Sequence, residues 1–168
     1  MREIVGPAIE QLCVAFDRGG YNPTPIVDIG VLVASADGKV TERERDILLE
    51  VFQTLLETKL SAEVVDHLVS ASLEVIDVAG AERRTRLVAE ILQDCDAVEP
   101  GLTVALAVAF SNDGLSKAER VVVERIAAAA AFPADRLSKL VEHVRKHADI
   151  DPVSTRSSLS SLRVATER

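Results

Sequence analysis

Two stretches of this chain, IVDIGVLVASADGKVTERE at residues 26–44 and LTVALAVAFSNDGLSKAE at 102–119, take the same three steps. Each opens with a run that is apolar on nearly every side, breaks at Asp-Gly, and restarts with Thr/Ser-x-x-Glu. These runs constrain the fold more than any other feature. A helix with no polar stripe must be surrounded by protein, so both are expected at the centre of the structure. Both are far short of the roughly 18–20 residues that span a bilayer. The first copy has one extra residue, Lys39, between its glycine and its cap, so Glu119 stands one residue closer to Asp113 than Glu44 stands to Asp37.

The rest of the chain reads as helices in the same way. The first covers about 2–17 and is broken by RGGYNPTP at 18–25, with two Gly and two Pro. A second runs over about 26–36. The third starts at Thr41 and places Ile47, Leu48, Val51, Phe52, Leu55 and Leu56 on one stripe, the helical and not the strand period. Ser61 caps a fourth helix, with Val64, Val65, Leu68, Val69, Val75 and Ile76 expected inward and Gly80 at its end. A fifth spans about 81–97, with Glu82, Arg83, Arg84 and Arg86 on a solvated face. Pro100 lies near the start of the sixth, the seventh follows Ser116, and FPAD at 132–135 precedes an eighth carrying Leu137, Leu140, Val141 and Val144. The fold class is therefore all-α: a single multihelical domain over residues 1–150, of about seven to eight helices, with two helix–Asp-Gly turn–helix units around buried central helices. Residues 151–168 read as a flexible Ser-rich tail.

Composition narrows the function. Aromatic residues are 3% of the 168 and the formal net charge is -8, which argues against a nucleic-acid surface and is ordinary for a soluble cytoplasmic protein. Met1-Arg2-Glu3 leads into a mixed helix, so no secretory signal is expected. Cys13 and Cys95 have no CxxC spacing and read as small buried hydrophobes. There is no nucleophile elbow, GxGxxG or P-loop. His143 and His147 stand four apart, a spacing that can ligate zinc, but they lie with Arg145 and Lys146 in a helix's last turns, where cations favour the dipole. His67 reads as a partly exposed, hydrogen-bonded side chain. Arg83, Arg84 and Arg86 are also candidates for contacting a phosphate or an acidic partner.

The Asp-Gly corners admit three readings. In the first they are turns followed by capping boxes: Asp bonds its own following backbone, Gly takes positive φ, Thr41 and Ser116 accept a bond from the amide three residues on, and Glu44 and Glu119 reach back to the cap amide. In the second each is a calcium loop. Asp37, Gly38, Val40 and Glu44 match the second half of an EF-hand loop. The first liganding position would then be Val33 or Ala109, neither with a side-chain oxygen, so a full EF-hand does not fit. In the third, the corners meet and pool Asp37, Glu44, Asp113 and Glu119 around one Ca²⁺, Mg²⁺ or Mn²⁺, hard ions that take oxygen ligands. That step needs the two units to be related by an approximate twofold. A metal-dependent hydrolase at the same acids would also need an open cleft and a substrate-positioning cation, and the sequence displays neither.

ASADGKVTERE and FSNDGLSKAER, each ahead of an amphipathic helix, resemble the paired signatures of the TerB family, the tellurite-resistance TerB-like domain, over roughly residues 26–145. The resemblance implies an all-helical, cytoplasmic, bacterial-type module of seven or eight helices without enzymatic activity, tied to tellurite and other chemical stress. It implies an acidic metal site, which falls on Asp37, Glu44, Asp113 and Glu119. It also implies protein partners, among them membrane-bound Ter components. The missing residue after Gly114 is a departure from the family spacing and puts a symmetric site in question. The alternative is a purely structural interaction domain whose motifs are turns and caps.

Overall fold

The computed structural model describes residues 2–38, 40–56, 60–111 and 114–148, including all their side chains except those of Arg2, Arg43, Glu44, Thr54 and Leu55. The expected tail at 151–168 lies outside them. Eight α-helices and no strand are found among the described residues: α1 (Arg2–Gly19), α2 (Thr24–Ala34), α3 (Glu42–Leu56), α4 (Ala62–Ala79), α5 (Ala81–Asp94), α6 (Val98–Phe110), α7 (Lys117–Ala129) and α8 (Ala134–Ala148).

The two apolar runs form the centre, as their lack of a polar face requires. Every residue of α2 from Pro25 to Val33 is buried, and so is every residue of α6 from Gly101 to Ala109. The two pack against each other. Around them α2 meets α3, α4, α5 and α7, and α6 meets α1, α5, α7 and α8. Gly30 makes the close approach possible: a Cβ there would stand 2.4 Å from the Phe52 ring and 3.3 Å from a Val108 methyl.

The outer helices contribute one stripe each. α3 buries Leu48, Phe52 and Leu56, with Ile47 and Val51 half-buried. α8 buries Leu137 and Val144. Ser61 caps α4 by accepting from the Val64 amide at 3.3 Å, and Gly80, at φ +89°, ends it. The expected inward face of α4 needs correction. Val65, Val69 and Ser72 are buried, while Val64 and Val75 are exposed. Spacings of four and three fit either of two neighbouring stripes, and α2 takes the one through Val65.

The solvated face expected on α5 is also only partly right. Arg86 pairs with Glu82 on the surface, and that guanidinium holds the Glu82 carboxyl below its usual range. Arg84 instead turns inward and donates to Asp28 Oδ2 at 2.6 Å. Asp28 is 1% exposed, and its second oxygen accepts from the Ser72 hydroxyl at 2.5 Å. A carboxylate in an apolar helix requires such partners, and this one ties α2 to α4 and α5. Cys95 is buried in the core, and burial first, then Asp94, pushes its thiol up. Cys13 is half-buried.

Candidate functional site

The first corner follows directly from the end of α2. Ser35 N bonds Val31 O at 2.9 Å, Ala36 N bonds Val33 O at 3.1 Å, and Gly38 N bonds Ser35 O at 3.1 Å. Gly38 has φ +140°, a value that L side chains rarely adopt. The turn is thus closed by main chain. Asp37 is exposed, and its carboxylate has no hydrogen bond or ion pair among the described residues; the expected bond to its own following backbone would fall on residue 39, outside them. Thr41 occupies the cap position, since Arg45 N bonds its carbonyl at 2.9 Å.

The second corner repeats the pattern with different detail. Ser111 N and Oγ both donate to Val108 O, at 3.2 and 2.7 Å. Gly114 has φ +92°. The capping box is complete: Glu119 N donates to Ser116 Oγ at 3.2 Å, and Ser116 N donates to Glu119 Oε2 at 2.8 Å. Both bonds satisfy amides that a helix start leaves open.

Ala34 from the end of α2, Ser111 from the end of α6 and Glu119 from the first turn of α7 line one cavity of about 30 Å³, closed by Ile47, Leu48 and Val51 of α3 and Val108 of α6. The helix ends that lead into the two corners therefore meet. A volume of that order admits a water-sized occupant. Its walls are mostly aliphatic, and its polar groups are Ser111 and Glu119. Glu119 is half-buried and uses Oε2 in its cap, which leaves Oε1 without a bond among the described residues. A carboxylate and a hydroxyl are hard oxygen donors of the kind Mg²⁺, Ca²⁺ and Mn²⁺ accept.

Of the four acids singled out in the sequence, Glu119 reaches this junction. Asp37 sits on the exposed turn beyond Ala34. Asp113 and the Glu44 side chain lie outside the described residues. No group of three or more His, Cys, Asp or Glu suited to a metal ion is found among the described residues. Fit to a hard cation thus rests on the donor type at Glu119 and Ser111 and on the proximity of the two helix ends.

Other candidates are placed more plainly. His143 and His147 lie one turn apart on α8 with their rings tilted at 55° and the centroids 4.7 Å apart, and His147 Nδ1 lies 2.9 Å from the His143 carbonyl oxygen. Arg145, Lys146 and His147 make up the basic last turn of α8, the placement that the helix dipole favours. Between α7 and α8 runs a groove of about 300 Å³ walled by Leu115, Val123, Phe132, Leu137 and Val141. Its charged groups, Arg120 and Glu124, pair with each other at 2.9 Å. Its hydroxyl, from Ser138, donates to the Ala134 carbonyl at 3.0 Å.

The buried Asp28–Arg84–Ser72 network was missed in the sequence. Its signal was available: one carboxylate inside an otherwise apolar helix demands a cation from elsewhere. Only the fold shows which of three neighbouring arginines supplies it. No helix among the described residues is long and apolar enough to cross a membrane. In comparisons with known proteins, no curated protein and no solved structure matched. A family model did, Tellurite resistance protein TerB, over residues 26–141, well over half of the chain and including both corners. The chain belongs to the TerB family.

Proposed function

We propose that this chain is a cytoplasmic, non-enzymatic module of bacterial resistance to tellurite and related chemical stress, which binds one divalent cation between its two corners and engages a protein partner. TerB domains are generally non-enzymatic, and the partner class the family points to is a membrane-bound Ter component. The observation that carries the reading is the shared cavity: the ends of α2 and α6 converge on the Glu119 carboxylate, which has one oxygen spare. In this reading Glu119 and Asp113 hold the ion from the second corner, and Asp37 and Glu44 from the first. Bound there, Ca²⁺, Mg²⁺ or Mn²⁺ supplies positive charge that offsets the repulsion among these carboxylates. Glu119 orients the site by its cap bond to the Ser116 amide, which fixes the carboxylate before any ion arrives. The aliphatic walls from α3 and α6 border the donors on one side.

Calorimetric titration of the full chain with Ca²⁺, Mg²⁺ and Mn²⁺ tests this. Saturable binding that is lost in Asp37→Asn and in Glu119→Gln is expected. No heat and no change in melting temperature at millimolar concentrations of all three ions would remove the cation from the account. A second reading has its own support, in the complete capping box at Ser116 and Glu119: the corners are turns and caps alone, and the module acts only through its surfaces. It predicts that Asp37→Asn costs modest stability and leaves the response to ions unchanged.

A further inference from the structure

α4 carries two apolar edges, of which the core takes one and, from the other, Leu68. The inner edge, Val65, Val69, Ser72 and Ile76, faces the core. One residue back around the helix runs a second edge, Val64, Leu68, Ala71, Val75 and Val78, spaced four, three, four, three. That is the heptad rhythm of a helix–helix seam, and it extends over roughly 21 Å of helix at 1.5 Å per residue. Val64 is 43% exposed, Val75 36% and Val78 82%. Ala71 is exposed as well, and Leu68 is half-buried. The other large exposed apolar side chains, Val14, Leu87 and Val121, stand singly on α1, α5 and α7, which is normal for a surface.

Charge says what this seam fits. α4 contains Glu63, Asp66, Glu74 and Asp77 and no Lys or Arg. Asp66 is engaged by Arg45 at 3.0 Å. Glu63, Glu74 and Asp77 have no ion pair among the described residues. Asp77 lies near the end of the helix, whose last turn has no basic residue, so it adds to the negative end of the dipole instead of opposing it. Open apolar surface beside acids that have no ion pair among the described residues is half of a complementary interface.

We propose that the Val64–Val78 edge of α4 docks an amphipathic helix of a partner protein whose apolar seam is flanked by Lys or Arg. The apolar seam supplies the contact and the acids supply register and attraction, strongest beside Glu74 and Asp77. A second copy of this chain does not fit, because α4 against α4 sets acids against acids. This deepens the partner half of the proposed function and is independent of the cation half.

The test uses the ¹⁵N-labelled full chain in EDTA with two synthetic helical peptides. Both carry a leucine heptad seam, one with lysine at its flanking positions and one with glutamate. The lysine peptide is expected to shift the amides of residues 64–78, with affinity falling about tenfold or more between low and physiological salt. Val75→Ser with Val78→Ser, both at exposed positions, should weaken it at least tenfold with the rest of the spectrum unchanged. Glu74→Lys with Asp77→Lys should transfer preference to the glutamate peptide. No shift on α4, shifts of equal size with both peptides, or concentration-dependent broadening of α4 without peptide would each overturn the proposal, the last by assigning the seam to a second copy. Because EDTA is present throughout, failure here is distinct from failure of the cation site.

Discussion

α2 keeps a carboxylate in the core and holds it with groups from two other helices. α6 keeps a hydroxyl, Thr103, and satisfies it from its own backbone, Oγ1 donating to Glu99 O at 2.9 Å. The two helices match in burial and in the corner each leads into, yet only α2 holds its ion pair in the core; α6 pairs Glu99 with Arg136 of α8 at the surface. In a duplicated fold the repeat fixes where the chain goes, while each copy solves its polar problems separately. Buried long-range polar contact is concentrated at α2, through Asp28, Ser72 and Arg84. The second copy concentrates its polar structure locally, in the Ser116–Glu119 box.

The sharpest way to break this comparison is to remove one partner of the buried pair. Arg84→Leu leaves Asp28 without its cation and should cost about 3–5 kcal/mol in urea unfolding. Asp28→Leu combined with Arg84→Leu should recover most of that loss. Thr103→Val in α6 should cost about 1 kcal/mol or less, because a hydroxyl bonded to its own helix can be replaced with little net effect. Equal losses at Arg84 and Thr103 would erase the distinction drawn here.

Glycine substitutions give a smaller effect of the same kind. Gly30→Ala forces a methyl against the Phe52 ring and should destabilise by about 1–3 kcal/mol. Gly101→Ala meets both end methyls of Leu92 at 2.7 Å, farther than the Phe52 ring stands from a Cβ at Gly30, and should cost less. The difference in denaturation midpoint between the two variants checks it.

The caps give the smallest effect. Ser116→Ala removes one side of the box and should cost about 0.5–2 kcal/mol, typically near 1. The same change at Thr41 sharpens the comparison: a matching loss means that the first corner closes as the second does. Hydrogen exchange at the amides of residues 42–45 and 117–120 reads both directly.

Much of this was legible beforehand. Runs apolar on every side identified α2 and α6 as the central helices, because burial on all sides leaves no other arrangement. Ser61, Gly80 and Ser116 marked helix ends through their local chemistry. What sequence could not fix was choice among neighbours. Val64 and Val65 both fit a helical stripe, and only the position of α2 decides which is inside. Arg83, Arg84 and Arg86 are chemically alike, and only the position of Asp28 selects the middle one. The site divides in the same way. Glu119 near the end of α2 follows from the repeat, whereas the bond of Glu119 to Ser116, in place of a free carboxylate, follows from local capping geometry.

The central claim is that the two corners act at one place. Adding Mn²⁺ to the ¹⁵N-labelled chain tests it most directly, since the ion broadens amides near it whichever residues hold it. The account predicts that one equivalent broadens residues 34–38 and 111–119 together, over the same concentration range, and that Glu119→Gln abolishes both effects. Broadening at one corner alone, or at the two corners with separate affinities, would contradict it.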